Sequence, residues 1–92
     1  MSAESGLDIG RRVKAKRIAA ALRSLGGTAD DARKLNEVDW IHADMLSVQQ
    51  TGHGGPKRGK QWQAPSAVTR ALVIEYLSRP DDQPRDEDIP PA

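Results

Sequence analysis

A glycine-rich, basic stretch in the middle of the chain, residues 51–60 with the sequence TGHGGPKRGK, separates two regions of helical pattern and limits how they can fold together. A backbone with this much glycine is too flexible to form core on its own. Lys57, Arg58 and Lys60 repel one another unless an anion lies beside them. The segment therefore predicts a positively charged surface loop between a helix that ends near Gln50 and an apolar run that begins near Pro65.

The net charge of +1 over 92 residues conceals a strong segregation of charge. Residues 1–10 carry two acidic side chains and no Lys or Arg, and residues 80–92 carry five acidic side chains and one arginine. Residues 11–79 carry 13 Lys and Arg against six Asp and Glu, a balance of +7. We therefore expect a flexible N-terminus, a helical domain over 11–79 and a disordered, acidic, proline-rich tail over 80–92. The basic domain favours a polyanionic partner, and the alternative is a solubilising surface with acidic tails.

The composition excludes several classes of protein. The chain has no cysteine, so it forms no disulfide and offers no thiolate metal ligand. Its first ten residues lack the charged start and apolar stretch of a secretory signal, and no run approaches the roughly 18 apolar residues of a membrane span. We expect a soluble, cytoplasmic protein with no membrane contact.

Two helices are predicted before residue 37. The first covers residues 10–25 and ends at two glycines, which turn the chain without a Cβ penalty. The second covers residues 29–36, because Thr28 followed by Asp31 is typical of a helix N-cap. The apolar positions of the first helix recur at helical spacing: Ala15, Ile18, Leu22 and Leu25. Those of the second are small enough to allow close packing: Ala29, Ala32 and Leu35.

A third helix is predicted over residues 40–50, after a turn at 36–39 that ends in Asp39 as the N-cap. Its spacing places an apolar stripe toward the core: Ile41, Met45 and Val48. The polar positions are expected on the exposed side: His42, Ser47, Gln49 and Gln50.

A fourth helix is predicted over residues 66–77 and is apolar around much of its circumference. A surface helix needs only one apolar stripe, so this helix either packs across the first three or is covered by a partner. A homodimer through residues 66–77 is one form of the second alternative.

Residues 11–64 resemble a winged helix-turn-helix DNA-binding domain. The resemblance lies in the spacing of Ala29, Ala32 and Leu35, in a four-residue turn, and in a third helix that leads into a Gly-rich basic hairpin ending at Gln61-Trp62-Gln63. It implies a mainly α domain of three to four helices, with or without a short β-hairpin wing. It also implies that the third helix enters the major groove of double-stranded DNA and that the wing reaches phosphates or the minor groove.

The resemblance assigns candidate roles to ten side chains. Polar residues of helix 40–50 would contact base edges: His42, Ser47, Gln49 and Gln50. Basic residues of the 52–60 loop would contact phosphate or the minor groove: Lys57, Arg58 and Lys60. Basic residues of the first helix would contact the flanking backbone: Arg12, Lys16 and Arg23. The alternative for each polar position is ordinary solvated helix surface.

Two short motifs overlap the loop. Residues 56–60, PKRGK, resemble an AT-hook in which Lys60 replaces an arginine, and the alternative is an ordinary basic loop. Gly54, Gly59 and Lys60 have the spacing of a phosphate-binding P-loop, but Gln61 stands where Ser or Thr would hold magnesium and no strand precedes the loop. The sequence therefore argues against nucleotide hydrolysis.

No catalytic or metal site is predicted. His42 and His53 are too few for a closed zinc site without cysteine. His42 and Asp44 are two residues apart on a helix, so their side chains diverge. We therefore expect no enzyme activity, no cofactor and no small-molecule substrate.

The sequence thus predicts a sequence-specific, double-stranded DNA-binding regulator or accessory factor of bacterial, phage or plasmid type. The competing class is a small protein-interaction module, an inhibitor or adaptor, that uses the apolar helix 66–77. RNA binding ranks below both, because the chain lacks the paired aromatic residues that stack on unpaired bases.

Overall fold

In a computed structural model that describes residues 6–79, the chain forms four α-helices. They are α1 (Gly6–Ser24), α2 (Ala29–Arg33), α3 (Glu37–Thr51) and α4 (Ala67–Leu77). The mainly α prediction is confirmed. No strand occurs between residues 6 and 79, so the expected hairpin wing is not seen there. The predicted acidic tail and the first five residues lie outside the described residues.

The central element is α1, which packs against α3 on one side and α4 on the other. It begins four residues earlier than predicted and ends at Ser24, before Gly26 with a φ of +78°. Leu25 was expected in the core, but it follows the end of the helix and is 70% exposed, so that expectation is wrong. The fully or almost fully buried positions are small or branched: Ala15, Ile18, Ala19 and Ala21.

Capping boxes fix the starts of α2 and α3. The Thr28 hydroxyl accepts from the backbone N–H of Asp31, and the Asp31 carboxylate accepts from the backbone N–H of Thr28 at 3.0 Å, as the sequence predicted. That backbone N–H, together with the Thr28 hydroxyl, lowers the pKa of Asp31. The same arrangement at Asn36 and Asp39 starts α3 at Glu37. The expected turn at 36–39 with Asp39 as the N-cap is therefore wrong, because Asp39 is the third helical residue and reaches back to Asn36.

The buried face of α3 differs from the predicted one. Met45 is 40% exposed, and Ile41 and Val48 are only partly buried. The helix instead turns a mixed face toward α1, with positions at helical spacing: Trp40, Ala43, Asp44 and Ser47. The expected stripe is wrong because two polar side chains on the true inner face have partners there, so the hydrophobic pattern alone points about a third of a turn away.

The last helix, α4, buries Thr69, Val73 and Tyr76 against α1 and α2. A single cluster joins Val73 and Tyr76 to Ile18 of α1, Ala32 of α2 and Trp40 of α3. Packing across the other helices thus accounts for the inner face of α4. Its outer face keeps Val68 51% exposed.

Candidate nucleic-acid interface

A cleft of about 700 Å³ opens between the start of α1, the segment 55–66 that follows α3, and the start of α4. Four cationic side chains line it: Arg11, Lys14, Lys57 and Lys60. We call it the cationic cleft. Arg11 and Lys14 lie in the first half of α1. Lys57 and Lys60 lie more than 40 residues later in the chain, so the fold brings the two pairs together.

A turn brings Lys57 and Lys60, the two lysines of the loop, close together in space. The backbone N–H of Lys60 donates to the carbonyl of Lys57 at 2.9 Å, and Gly59 between them has a φ of +85°. A turn position that requires a positive φ is usually occupied by glycine. Among residues 6–79, neither lysine forms an ion pair, and both are exposed. Their charges are therefore available to an anion in the cleft.

Asp44 lies at the floor of the cleft with a side chain only 3% exposed. Its carboxylate is 3.3 Å from the Arg17 guanidinium and 3.6 Å from the Lys14 ammonium. It also accepts from the indole N–H of Trp62 at 3.1 Å. A buried carboxylate is costly unless it is paired and hydrogen-bonded, and all of these contacts meet that need.

Arg17 connects this carboxylate to the rest of α3 and to the loop. Its guanidinium donates to the Ser47 hydroxyl at 2.7 Å and is 11% exposed. Gly54 packs directly on it, since a methyl group at Gly54 would lie 2.9 Å from the guanidinium, and the φ of Gly54 is +92°. The glycines that predicted a flexible loop therefore also let the backbone approach a buried cation closely.

Trp62 is the aromatic side chain of the cleft. It is partly exposed, lines the cavity, and is oriented by its hydrogen bond to Asp44. A methyl group at Gly55 would lie 3.3 Å from the far edge of the indole, so the loop backbone packs against that edge. The ring thus has one polar anchor and one packed edge beside an open space.

The predicted basic residues of α1 lie elsewhere. Arg12, Lys16 and Arg23 share one side of the helix, while Lys14 projects about 200° from Lys16 around it. The Lys16 ammonium is 5.8 Å from the centre of the Tyr76 ring, and the Arg23 guanidinium donates to the backbone carbonyls of Tyr76 and Arg79. Lys16 and Arg23 therefore lie beside α4, and none of the three residues lines the cationic cleft. Arg58 is exposed on the loop but does not line the cleft.

The polar residues of α3 separate into three groups. His42 and Gln49 are exposed, as predicted. Gln50 is exposed too, and its side-chain amide donates to the Ser24 hydroxyl of α1 at 3.0 Å. Ser47 is completely buried beneath Arg17, so its expected exposure is wrong.

Sequence reasoning missed Arg11, Lys14, Arg17, Asp44 and Trp62 as members of one site. A signal for part of it was present, because Trp40, Ala43, Asp44 and Ser47 follow the i, i+3, i+4, i+7 spacing of a helix face. Lys14 and Arg17, three residues apart on α1, supply cations that could complement that face.

The described residues contain no group of three or more His, Asp or Glu side chains placed to hold a metal ion. None of the helices between residues 6 and 79 is long and apolar enough to cross a membrane. The chain matches no protein-family model, no curated protein and no solved structure.

Proposed function

We propose that this protein binds DNA by holding the phosphate backbone in the cationic cleft. The observation that supports the proposal most directly is the convergence of Arg11 and Lys14 with Lys57 and Lys60 around one open cavity. Among the described residues, Asp44 is the only acidic one that lines the cavity, and Lys14 and Arg17 already neutralise it. The cleft therefore carries a net positive charge suited to a polyanion.

The contribution of α3 to base reading is a smaller part of the proposal. His42 and Gln49 are its two exposed polar candidates, and Gln can pair with adenine through two hydrogen bonds. Around a helix these positions project about 160° and 140° from Asp44. They therefore face away from the cleft, and Glu37 and Asp39 place negative charge at the start of α3. We assign the affinity to the cleft and expect weak sequence preference, which fits an accessory factor better than a regulator with a strict operator.

Salt dependence tests the proposal. If Lys57 and Lys60 each neutralise one phosphate of a duplex, they should contribute about −1.8 to the slope of the logarithm of the association constant against the logarithm of salt concentration. The double variant Lys57→Ala/Lys60→Ala should reduce that slope by about 1.8. The measurement is fluorescence anisotropy of a labelled blunt hairpin duplex at four salt concentrations.

A matched control removes the same charge elsewhere. Arg33 and Lys34 lie at the end of α2, are exposed, and do not line the cleft. The variant Arg33→Ala/Lys34→Ala should keep most of the slope. If the two double variants lose affinity equally, the binding reflects overall charge and the cleft is not the interface.

A protein-interaction function remains the second candidate, and the exposure of Val68 favours it. Val68 and Ala71 lie on the outer face of α4, next to partly buried Leu72. A homodimer formed there would resist salt and would dissociate in the variant Val68→Asp. If the wild type sediments as a monomer at about 100 times the protein concentration used for DNA binding, it does not form this homodimer.

A further inference from the structure

The cationic cleft contains an aromatic ring as well as cations, and the ring is held in place. Trp62 lines the cavity between Lys60 and the start of α4, and its indole N–H is hydrogen-bonded to Asp44 at 3.1 Å. Asp44 is itself fixed by Arg17 at 3.3 Å. A ring anchored in this way loses little conformational freedom when a ligand packs on it.

The size and chemistry of the cavity exceed the needs of a phosphate group alone. Its volume of about 700 Å³ is within the range of sites that hold small molecules. Gln61, Gln63 and Ser66 add neutral hydrogen-bonding groups to its wall. A flat heterocycle that is attached to phosphates would find a π-surface, amide groups and cations in one place.

From this combination we infer that the cleft binds an unpaired nucleobase, stacked on Trp62, with the neighbouring phosphates on Lys57 and Lys60. Stacking of bases on aromatic side chains beside a basic groove is how proteins hold single strands without strong sequence preference. The inference rests on the proposed function and narrows its ligand to DNA with an unpaired stretch, such as a single strand, a gap or a frayed end.

The first test needs no variant. Trp40 is 3% exposed, so a base has access only to Trp62, and quenching of the intrinsic fluorescence reports on that ring. A 12-residue oligothymidylate should quench the emission and bind more tightly than an abasic strand of the same length, by roughly 5- to 150-fold. A blunt hairpin duplex should bind without comparable quenching.

Two substitutions separate stacking from the hydrogen bond to Asp44. Trp62→Phe and Trp62→Leu both lose the indole N–H, but only Trp62→Leu loses the aromatic face. Trp62→Phe should retain most of the preference for oligothymidylate over the abasic strand, and Trp62→Leu should abolish that preference. Circular dichroism checks that both variants keep their helices.

Different results identify which statement fails. Equal binding of oligothymidylate and the abasic strand to the wild type, without quenching, overturns the stacking inference and leaves backbone binding intact. If oligothymidylate, the abasic strand and the duplex all fail to bind at low salt, the stacking inference and the proposed backbone binding are both overturned. Equal preference for oligothymidylate in Trp62→Leu and Trp62→Phe also overturns the inference, because the ring would then have only a structural role.

Discussion

The largely buried ion pair between Asp44 and Arg17 should contribute measurably to the stability of the packing between α1 and α3. The two side chains are 3% and 11% exposed, and their charged atoms are 3.3 Å apart. Removing one partner of a buried pair costs about 3–5 kcal/mol, since the other charge is left without compensation. In Asp44→Ala the Trp62 indole N–H loses its acceptor as well. A small domain has only about 5–15 kcal/mol in total, so this variant should be close to unfolding.

Asp44→Asn offers a measurable version of the same change. The amide keeps the shape of the side chain and an acceptor for Trp62, but it removes the charge that faces Arg17. Hydrogen bonds to charged groups contribute about 1.5–3 kcal/mol, and we expect a loss of that size. Urea unfolding followed by circular dichroism at 222 nm should show a midpoint lower by about 1.5–3 M, for an m-value near 1 kcal/mol/M.

A double-mutant cycle tests whether the loss comes from the pair. Arg17→Met removes the cation, and in that background Asp44→Asn should cost much less, which gives a coupling free energy of about 1.5–2 kcal/mol. If the two changes add within about 0.5 kcal/mol, the two side chains do not stabilise each other and the reasoning is refuted.

An exposed pair provides the control. Asp30 and Arg33 are only 2.6 Å apart, but their side chains are 81% and 54% exposed. Asp30→Asn should therefore change the free energy of unfolding by less than about 0.5 kcal/mol. Burial, rather than the distance between charges, would then explain the difference between the two sites.

Two further changes test the loop and the start of α2. Gly54→Ala should destabilise the fold more than Gly59→Ala in urea unfolding, because the two glycines have a similar positive φ but only a methyl group at Gly54 would push the Arg17 guanidinium away from its partners Asp44 and Ser47. The methyl group of Gly59→Ala would meet nothing within 4 Å, so that change should cost about 1 kcal/mol. The lowered pKa of Asp31, caused first by the Thr28 backbone N–H, means that its contribution to stability is present above the ordinary pKa of 3.8 and is lost as pH falls through the lower folded value. Unfolding free energies measured from pH 5 to pH 2 should show this loss in the wild type and not in Asp31→Asn, and parallel curves would contradict it.

The sequence predicted four helices because several of their end signals are local, although α2 ends at Arg33 and not at residue 36 as expected. Thr28 and Asp31 act within three residues of each other at the start of α2, and Gly26 lies two residues after the end of α1. The start of α3 was misplaced because Asn36 and Asp39 are both good capping residues. Only their reciprocal hydrogen bonds show that Asn36 is the cap and Asp39 the third position.

The candidate site was harder to predict because its members interact over long sequence separations. Asp44 contacts Lys14 and Arg17 about 30 residues earlier and Trp62 18 residues later. A helical wheel assigns polar residues to solvent, and it assigned Ser47 wrongly for that reason. The basic loop was visible in the sequence, but the side of α1 that it faces was not, so Arg12, Lys16 and Arg23 were grouped with it in place of Arg11 and Lys14.

The position of Asp44 leads to one more prediction, in which stability and binding change in opposite directions. Its carboxylate stabilises the packing of α1 on α3, but it also lies at the floor of the cationic cleft and holds the Lys14 ammonium at 3.6 Å. Lys14 is 38% exposed, so it can turn toward a ligand once an uncharged amide replaces that carboxylate. Asp44→Asn should therefore raise affinity for a blunt hairpin duplex at low salt by roughly 2- to 5-fold, the size expected for a partly solvated charge pair, even as the midpoint in urea falls. Anisotropy titrations at 10 °C, with circular dichroism to check that the variant is folded, would measure this. Unchanged or weaker binding by a folded Asp44→Asn would mean that phosphates do not approach the floor of the cleft.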